Sequence, residues 1–355
     1  MTERYDEVLA SNLDYTSQTI RDRVIFQSKY EPDAIALWIA GTYLMDHWTR
    51  FPKLLIVSPE RECGKTTSLE AIEGFVFKGK MASSITAAAL TRSIEKDAPT
   101  LLIDEADLTL KDNKELKAII NAGHTRRSAV RILADERASN KWEPKEMSLW
   151  CPQVIAGIGE FDDTLVSRSI SIGLRRKGIN EKIIYLDDAY FDEQAELRTS
   201  FESLSHAVDP TVLLRVPSVP NGIGNRMRDN WLPMLQIAQL AGVSWVDKCN
   251  DAIQELEIKR KAETSALTVN DLLIDLREVL GTFTGPEIGS NELLQRLLCL
   301  ADGDWHTANN NRTITSKWLA MKLRPYGITV QRRSDCNVYM LADFEDAFKR
   351  YLPPV

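Results

Sequence analysis

The chain has 355 residues, of which 44% are hydrophobic, and its formal net charge is −7 at pH 7. This length and apolar content are enough for two or three packed domains. The acidic balance excludes a globally basic nucleic-acid protein, so any contact with nucleic acid must come from a local patch.

The N-terminal part of the chain predicts two helices. Residues 1–28 have an amphipathic helical pattern, and the next segment, PDAIALWIAGTYLMDHW, begins at Pro32 and has apolar residues all round its axis. That pattern is typical of a buried helix. Pro52 ends the region, so we predict that residues 1–50 form a helical segment packed on the core that follows.

Residues 51–177 alternate between strand-like and helical patterns. The apolar run LLIV directly precedes a glycine-lysine loop, as the central strand of a parallel sheet does. Strand-like patterns occur at residues 54–57, 80–84, 100–103, 129–133, 153–158 and 168–174, with helical patterns near 66–77 and 86–95. The alternation predicts an α/β core with a parallel sheet covered on both faces.

The remaining residues predict two further units. Residues 178–264 are mostly helical in pattern, with one break at VPSVPNGIG, and we interpret them as a helical lid. Residues 265–355 have helical patterns near 268–281, 290–300 and 314–326, followed by GITVQRRSDCNVYML, which alternates about a turn as a β-hairpin does. Three helices followed by a hairpin predict a winged-helix domain.

The stretch SPERECGKTTSL is close to the phosphate-binding pattern G-x-x-x-x-G-K-[ST], but Pro59 stands where the first glycine is usual. Such a loop needs inward backbone N–H groups, a helix N-terminus and one cation. Lys65 is expected to reach the β- and γ-phosphates of ATP, and the Thr66 hydroxyl to bind Mg²⁺. Pro59 precedes most of the contacting amides, so its missing N–H is tolerable. The predicted nucleotide-binding residues are Pro59, Glu60, Arg61, Glu62, Cys63, Gly64, Lys65, Thr66 and Thr67.

A second motif, LLIDEAD at 101–107, is an apolar strand that ends in two acids. Asp104 is expected to help hold Mg²⁺, and Glu105 to polarise the attacking water. Phosphoryl transfer needs mainly positioning and charge neutralisation, which these groups supply. A solvated turn is the alternative for the acids alone. Together with the loop, they predict a triphosphatase that uses ATP and Mg²⁺.

Five cysteines lie at positions 63, 151, 249, 299 and 336, without a C-x-x-C pair. This scattered, odd set is typical of a reducing compartment and argues against a zinc or disulfide framework. The polar, acidic start of the chain is unlike a signal peptide, and no run of about 20 apolar residues predicts a membrane span. We therefore expect a cytoplasmic protein. Cys63, beside the predicted phosphates, is expected to react with alkylating reagents, which would block ATP binding.

Seven segments follow one another in a recognisable order from about residue 30 to the end. They are ALWIAGTYLMDHW, LLIVSPERECGKTTSLEAI, TLLIDEAD, NAGHTR, PQVIAGIGEFDDTLVSRSISIGLRR, NRMRDNWLPMLQIAQLAGVSW and WLAMKLRPYGI…DFEDAFKRYLPP. Together they resemble a family of P-loop ATPases carried by phages, plasmids and genomic islands, long catalogued as a domain of unknown function. The family's loop has the form S-P-E-x-x-C-G-K-T. The family is similar in plan to AAA+ replication helicases and loaders, which work as rings.

The resemblance implies an arginine that acts on a neighbouring subunit. Arg168, in DTLVSRSI, occupies the place from which ring ATPases send an arginine to the neighbour's γ-phosphate, where its charge stabilises the transition state. Arg175 and Arg176 are the next candidates. A surface ion pair is the alternative reading of Arg168.

The resemblance also implies two sensor groups. Arg226, in NRMRDNW, is expected to be the sensor of the helical lid, with Arg228 as an alternate and a capping arginine as the alternative interpretation. The strand that carries the first sensor in AAA+ proteins usually ends in a polar side chain. Here PQVIAGIGE offers Gly157 and Gly159 instead, so that role is unassigned.

Two basic patches predict contact with DNA. The first covers the third helix and first wing strand of the predicted winged helix, the elements that enter the major groove and follow flanking phosphates. The second, HTRRSAVR, could track a phosphate backbone in the channel of a ring. The residues are Arg312, Lys317, Lys322, Arg324, Arg332 and Arg333 in the first patch, and Arg126, Arg127 and Arg131 in the second. The alternatives are a solvated basic face, a protein-binding winged helix, or an inter-subunit loop.

The two motifs and the basic patches predict a Mg²⁺-dependent ATPase that contacts DNA. The resemblance implies that it acts on single-stranded or forked DNA in the replication of a mobile genetic element, as a helicase or a helicase loader. The expected assembly is a homo-oligomeric, hexameric ring, with a primase or helicase as a further partner. The alternative is an ATP-driven assembly switch or adaptor, including a role in phage interference or defence, whose winged helix binds protein rather than DNA.

Overall fold

The fold is described from a computed structural model of the protein. The residues it describes are 5–82, 85–110, 113–135, 143–159, 161–215, 217–220, 223–259, 269–281, 283–300, 305–306, 313–334 and 336–352. The chain divides into two compact units, Met1–Lys259 and Arg260–Val355. The first unit contains the predicted N-terminal segment, the predicted core and the predicted lid as far as Lys259.

A five-stranded parallel sheet lies at the centre of the first unit. The strands of this unit are β1 (Lys53–Ser58), β2 (Gly79–Ala82), β3 (Thr100–Ile103), β4 (Val130–Asp135), β5 (Glu143–Ser148), β6 (Gln153–Ile158) and β7 (Ser169–Gly173). The sheet has the order β2-β3-β6-β1-β7. Within it, Leu54 pairs with Val154 on one side and with Ile170 on the other. The α/β class and the parallel sheet are confirmed, and the architecture is compatible with a P-loop fold.

The strand predicted at residues 129–133 is not part of this sheet, so its expected place there is wrong. β4 pairs antiparallel with β5 in a separate two-stranded ribbon, where Val130 lies opposite Ser148. A strand inside a parallel sheet is buried on both faces, whereas Ile132 in β4 is 64% exposed. β5 was missed because its sequence, EPKEMS, is charged and contains a proline.

Helices lie before, between and after the strands of the first unit. Those of the first unit are α1 (Tyr5–Arg21), α2 (Glu31–Thr42), α3 (Lys65–Glu73), α4 (Ala87–Asp97), α5 (Ala106–Thr109), α6 (Lys114–Ala122), α7 (Asp163–Val166), α8 (Tyr190–Glu193), α9 (Ala195–Ala207), α10 (Asn225–Ala241) and α11 (Val243–Ile253). All 12 residues of α2 are buried, as its apolar pattern predicts. Residues 178–189 carry no helix, so the helical region begins at α8 rather than at residue 178.

The second unit combines helices with a small antiparallel sheet. Its described elements are α12 (Val269–Gly281), β8 (Glu287–Gly289), α13 (Ser290–Leu298), α14 (Ser316–Leu323), β9 (Gln331–Arg332), β10 (Asn337–Met340) and α15 (Leu341–Tyr351). The sheet order is β8-β10-β9. Its core includes Leu273, Leu293, Tyr339 and Phe344. The three helices and the β9–β10 hairpin lie where the sequence predicts them, while β8 and α15 were not predicted. The winged-helix assignment stays a prediction.

Among the helices of the described ranges, none is both long enough and apolar enough to cross a membrane.

Candidate functional site

The loop between β1 and α3 has the backbone shape that an anion site needs. Gly64 has φ +86° and Glu62 has φ +62°, both in the left-handed region. A Cβ built on Gly64 would meet nothing within 4 Å, so glycine is favoured there by its dihedral angle and not by crowding. No described side chain caps α3, which begins at Lys65. Its first N–H groups are therefore left to bind a negative charge.

Lys65 and Thr66, the first residues of α3, are held by groups at the ends of two strands. The Nζ of Lys65 donates to the Oγ of Ser58 at 3.1 Å, at the carboxyl end of β1. The Oγ1 of Thr66 donates to Oδ2 of Asp104 at 2.7 Å. Asp104 directly follows β3, and β6 lies between β3 and β1. The hydrogen bond therefore connects the loop to the acidic motif across the carboxyl edge of the sheet, where α/β folds bind ligands.

Asp104 and Glu105 differ in their surroundings. Asp104 is 8% exposed, and its Oδ1 accepts the backbone N–H of Glu105 at 2.8 Å. Glu105 is exposed and has φ +49°, a left-handed conformation that is uncommon outside glycine. The first carboxylate is thus fixed against α3, while the second projects from a strained turn toward solvent.

The oxygen atoms of Thr66 and Asp104 fit a magnesium ion. Mg²⁺ in phosphate sites usually takes one or two protein oxygens and completes its shell with water and substrate oxygens. A hydroxyl and a carboxylate at 2.7 Å form such a set. No cluster of three or more His, Cys, Asp or Glu side chains suited to a metal occurs in the described part of the chain. An all-protein metal cage is thus not present there.

A pocket of about 420 Å³ opens over the N-terminus of α3. Its size lies within the usual range for small-molecule sites, ~300–1,000 Å³. One wall comes from the loop and α3, and the other from segments that no motif marked. The lining residues are Arg23, Val24, Ile25, Glu62, Cys63, Gly64, Lys65, Thr66, Thr67, Arg175, Lys177 and Ile183. Four cations against one acid favour an anionic ligand. Of the predicted binding residues, Pro59, Glu60 and Arg61 do not line this pocket.

The second wall of the pocket joins two segments that are far apart in sequence. Phe26 and Leu174 form an isolated β-bridge, and the backbone N–H of Ile184 donates to Asp22 O at 2.8 Å. Arg175 Nε donates to Phe26 O at 3.1 Å, and its guanidinium is ion-paired with Glu181. The two segments have neither alternating apolar residues nor a known motif. Apart from their basic residues, nothing in the sequence therefore predicts that they form this wall.

Arg176 spans from this wall to the loop. It is ion-paired with Glu62 at 2.6 Å and with Glu60 at 3.6 Å. Arg175 and Arg176 thus lie at the edge that carries the chain's own loop, and both are engaged by acids of the same chain. Neither is free to reach a neighbouring subunit in this arrangement.

Arg168 lies at the opposite edge of the sheet. Its backbone carbonyl accepts the N–H of Lys53, the first residue of β1, at 3.0 Å. The strands are parallel, so Arg168 is at the amino edge and Lys65 beyond the carboxyl edge. β1 alone separates the edges by about 17 Å, at ~3.3 Å per residue. Arg168 therefore does not contact the loop of its own chain.

Arg226 lies beside Arg168 rather than beside the loop. Its Nη1 donates to Ser167 Oγ at 3.0 Å. A lid sensor must reach the phosphate loop of its own chain. Arg226 does not lie near that loop in the structure, so the expected sensor position is not found. Arg228, the alternate, is exposed on the same helix.

Gly157, at the position where AAA+ proteins usually carry the first sensor, has no room for a side chain. A Cβ there would lie 2.4 Å from Cζ of Phe161 and 2.8 Å from Oδ1 of Asp107. Asp107, the last acid of LLIDEAD, accepts the N–H of Ile158 at 3.1 Å. The polar side chain next to the end of β6 is therefore Asp107, which belongs to the acidic motif. The sequence alone did not predict this position for Asp107.

Cys63 is only 3% exposed, and its Sγ lies 3.7 Å from Arg61 O. The expectation of a readily alkylated thiol is therefore wrong. The side chain packs beneath the loop, although the residue contributes to the lining of the pocket.

The basic patch at residues 124–131 is largely engaged by its own chain. Arg126 Nη1 donates to Asp46 O at 2.6 Å. Arg131 donates to Thr91 Oγ1 at 3.0 Å and is ion-paired with Glu115. Arg127 is exposed. Only part of this patch therefore offers charge to a nucleic acid.

The basic patch of the second unit is more open. Lys317, Arg324 and Arg332 are exposed. Lys322 lies over the Trp318 ring at 5.6 Å, and Arg333 is ion-paired with Glu287 at 2.6 Å. Arg312, which was also predicted to bind DNA, lies outside the described residues.

Similarity to known proteins covers parts of this architecture. A family model described as Protein of unknown function (DUF3631) matches residues 173–351, half of the chain. An "Uncharacterized 28.9 kDa protein in xis 5'region" of Saccharopolyspora erythraea is 27% identical over 141 residues, which is 39% of this chain and 52% of that protein. The chain thus spans about half the length of this relative.

A solved structure, the apo A form of the NrS-1 C-terminal region, aligns with 96% of this chain and 75% of its own. Its sequence identity is 14% and its TM-score is 0.39. A score at this level is too low to establish a common fold.

Proposed function

This chain belongs to the family described as Protein of unknown function (DUF3631), and we propose that it is a Mg²⁺-dependent ATPase that acts on DNA in the replication of a mobile genetic element, as a helicase or helicase loader. The hydrogen bond from Thr66 to Asp104 is the observation that carries the proposal. It connects the glycine-lysine loop to the acidic motif at the mouth of a cationic pocket. A chance occurrence of either motif would not require this contact.

The residues around the pocket have complementary roles toward a nucleoside triphosphate. The N–H groups at the start of α3 and the Nζ of Lys65 bind phosphate oxygens. Thr66 and Asp104 hold Mg²⁺, which neutralises phosphate charge when bound. Glu105 orients and polarises the attacking water from its exposed turn. The apolar side chains Val24, Ile25 and Ile183 supply a wall for the nucleobase.

Mutation of Lys65 and Glu105 separates binding from hydrolysis. Lys65→Ala is expected to lose ATP binding, since it removes the cation nearest the loop. Glu105→Gln is expected to bind ATP with Mg²⁺ at near wild-type affinity and to hydrolyse it at least about 100-fold more slowly, the scale of loss for a group acting on the attacking water. Calorimetry and phosphate release measure the two steps. Hydrolysis by Glu105→Gln at the normal rate would show that the role assigned to Glu105 is wrong.

Contact with DNA is supported by the exposed cations of the second unit, Lys317, Arg324 and Arg332. The mobile-element context is supported by the resemblance described above and by the name of the Saccharopolyspora relative, which places that protein in a xis 5' region. The ATPase rate with and without single-stranded DNA, across salt concentrations, tests this part. Stimulation that falls as salt rises supports it.

A second candidate is an ATP-driven adaptor whose second unit binds protein. Met321 on α14 is 62% exposed among basic side chains. A large apolar side chain within a charged surface is typical of protein interfaces. An ATPase rate that does not respond to DNA, together with the absence of a DNA mobility shift, favours this candidate.

A further inference from the structure

Two arginines from separate parts of the first unit lie side by side at the amino edge of the sheet. Arg226, near the start of α10, donates to Ser167 Oγ at 3.0 Å, and Ser167 directly precedes Arg168. Arg168 Nη1 donates to Asn121 O at 3.3 Å. Both guanidinium groups therefore use uncharged acceptors of their own chain.

The acids nearby are already paired. Asp162, which stabilises the charge of Arg168, lies 3.8 Å from Lys117. Asp229, one turn after Arg226 on α10, lies 3.1 Å from Arg50. Within the described residues, neither Arg168 nor Arg226 forms an ion pair. Two adjacent arginines without a carboxylate between them form a fork for an external anion.

The titratable groups behind the pair respond to its positive charge as well as to their own burial. Burial lowers the pKa of Lys53 to about 7, and its Nζ, on a residue 2% exposed, has no hydrogen-bond partner among the described residues. Burial also lowers the pKa of His124 to about 4, with repulsion from Lys53, Arg168 and Arg226. The pKa of Arg168 itself is lowered by burial and then by Arg226. An anion bound here would relieve this repulsion.

The anion cannot be the nucleotide of the same chain, because the length of β1 separates the pair from the loop. At the carboxyl edge, Glu105 is exposed, and next to it lies a pocket of about 350 Å³. Leu108 on its rim is 65% exposed. The cations of the nucleotide pocket come from the loop and from the wall made by residues 23–25 and 175–183, not from the Glu105 side. The Glu105 side thus supplies no cation among the residues that line the nucleotide pocket.

We infer that Arg226 acts together with Arg168 on the terminal phosphates of a nucleotide held by a second copy of this chain, and not as a lid sensor for its own nucleotide. The inference rests on the proposed function. The water oxygen bonds to the γ-phosphorus, its proton passes to Glu105, and the bond to the β-phosphate oxygen breaks with the electron pair on the leaving diphosphate. Two guanidinium groups neutralise the charge that spreads over the γ-phosphate oxygens in this step.

Mixing two inactive variants tests the inference. Lys65→Ala copies bind no nucleotide but keep both arginines, while Arg226→Ala copies bind nucleotide but lack one of the pair. Each full-length variant alone is expected to hydrolyse ATP at least tenfold more slowly than wild type. Their equimolar mixture is expected to recover about a quarter of the wild-type rate, because random head-to-tail assembly makes roughly one interface in four productive. Arg168→Ala mixed with Lys65→Ala is expected to recover likewise.

Two controls test whether Arg226→Ala is folded and whether its loss of activity is specific to this arginine. Arg226→Ala alone is expected to bind ATP with an affinity within about threefold of wild type, and a loss of binding would overturn the inference. Arg92→Ala, which changes an exposed arginine on α4, is expected to hydrolyse ATP at the wild-type rate and to gain nothing on mixing. A loss of activity in Arg92→Ala would show that the decrease in Arg226→Ala is unspecific, which also counts against the pair.

The remaining outcomes separate the inference from the proposed function. Recovery with Arg168→Ala but not with Arg226→Ala would overturn the role of Arg226. No recovery with either variant, while wild type hydrolyses ATP, would overturn action on a second copy. If Arg226→Ala hydrolyses normally but loses affinity for a fluorescent single-stranded oligonucleotide, the pair binds nucleic-acid phosphates and the inference fails. A wild type that hydrolyses no ATP would overturn the proposed function and, with it, this inference.

Discussion

Thr66 and Asp104 share a hydrogen bond of 2.7 Å, although they belong to elements that follow β1 and β3, two strands that do not touch in the sheet. If both oxygens bind one Mg²⁺, the loss of either side chain removes most of the contribution that the ion makes to ATP binding. Thr66→Ala and Asp104→Asn are each expected to weaken ATP binding in Mg²⁺ to the level found with EDTA. The double variant is expected to lose little more, with a coupling energy of about 0.5–3 kcal/mol.

Titration calorimetry with and without Mg²⁺ measures this cycle. Thr199→Ala, which changes an exposed threonine on α9, is the matched control and is expected to bind ATP as wild type does. Additive losses in the double variant would mean that the two oxygens do not serve the same ion.

Gly157 is expected to tolerate no side chain. A Cβ at this position would lie 2.4 Å from Cζ of Phe161 and 3.1 Å from the backbone N of Asp107. Gly157→Ala therefore forces the strand end away from the acidic motif, and overpacking of this kind lowers the free energy of unfolding by about 1–3 kcal/mol. Urea denaturation followed by tryptophan fluorescence measures the loss.

Gly224→Ala is the control for crowding, because a Cβ there meets nothing within 4 Å. Gly224 is the N-cap of α10, where alanine is less favourable than glycine, so the free energy of unfolding is expected to fall by about 0.5 kcal/mol, less than at Gly157. Equal destabilisation by both substitutions would mean that the effect at Gly157 does not come from Phe161 and Asp107.

The local motifs could be predicted from the sequence because their chemistry lies within short segments. The loop ending in Lys65-Thr66 and the strand ending in Asp104 each have a recognisable spacing, and the sheet brings them to one edge. The opposite wall of the pocket depends on the Phe26–Leu174 bridge. This contact joins segments about 150 residues apart, and its pairing leaves no periodic pattern.

The position of Arg226 illustrates a different limit. Its segment could be recognised, but the edge of the sheet at which α10 begins depends on tertiary packing. In the structure, Asn230 Nδ2 donates to Ser167 O at 3.1 Å and its Oδ1 lies 3.0 Å from His124 Nε2. These contacts hold the start of α10 against the amino edge. Spacing along the chain contains no information about such contacts, so the expected sensor lies at the other edge.

Lys53 gives the stability a pH dependence of known sign. Burial lowers the pKa of its amine from 10.5 to about 7. Between pH 7 and about 10 the unfolded chain binds the proton and the folded chain does not, so the free energy of unfolding rises with pH. The slope contributed by one such group is at most about 1.4 kcal/mol per pH unit. Below pH 7 both states are protonated, and the cost of burying the charge is constant.

Lys53→Met removes the amine and keeps most of the side-chain volume. It is expected to raise the stability at pH 7 and to remove this part of the slope between pH 7 and 10, as measured by urea denaturation. Lys96→Met, which changes an exposed lysine on α4, is expected to leave the slope unchanged. Parallel curves for wild type and Lys53→Met would mean that the amine stays protonated in the folded protein.

The exposed cations of the second unit separate the two candidate functions. Lys317 on α14 and Arg332 on β9 are exposed, whereas Arg333 is held by Glu287. The double variant Lys317→Ala, Arg332→Ala is expected to bind single-stranded DNA more weakly, with a log–log salt slope smaller by about 1.4, because each lost phosphate contact contributes ~0.7. Fluorescence anisotropy across salt measures the slope.

Lys349→Ala on α15 changes an exposed lysine outside this patch and is expected to keep the wild-type slope. The ATPase rate without DNA is expected to stay unchanged in both variants, since the pocket lies in the other unit. If the double variant binds DNA as wild type does, the patch does not contact phosphates. A DNA-independent ATPase with an unchanged slope would then favour the adaptor, in which the same basic surface around Met321 docks an acidic partner protein.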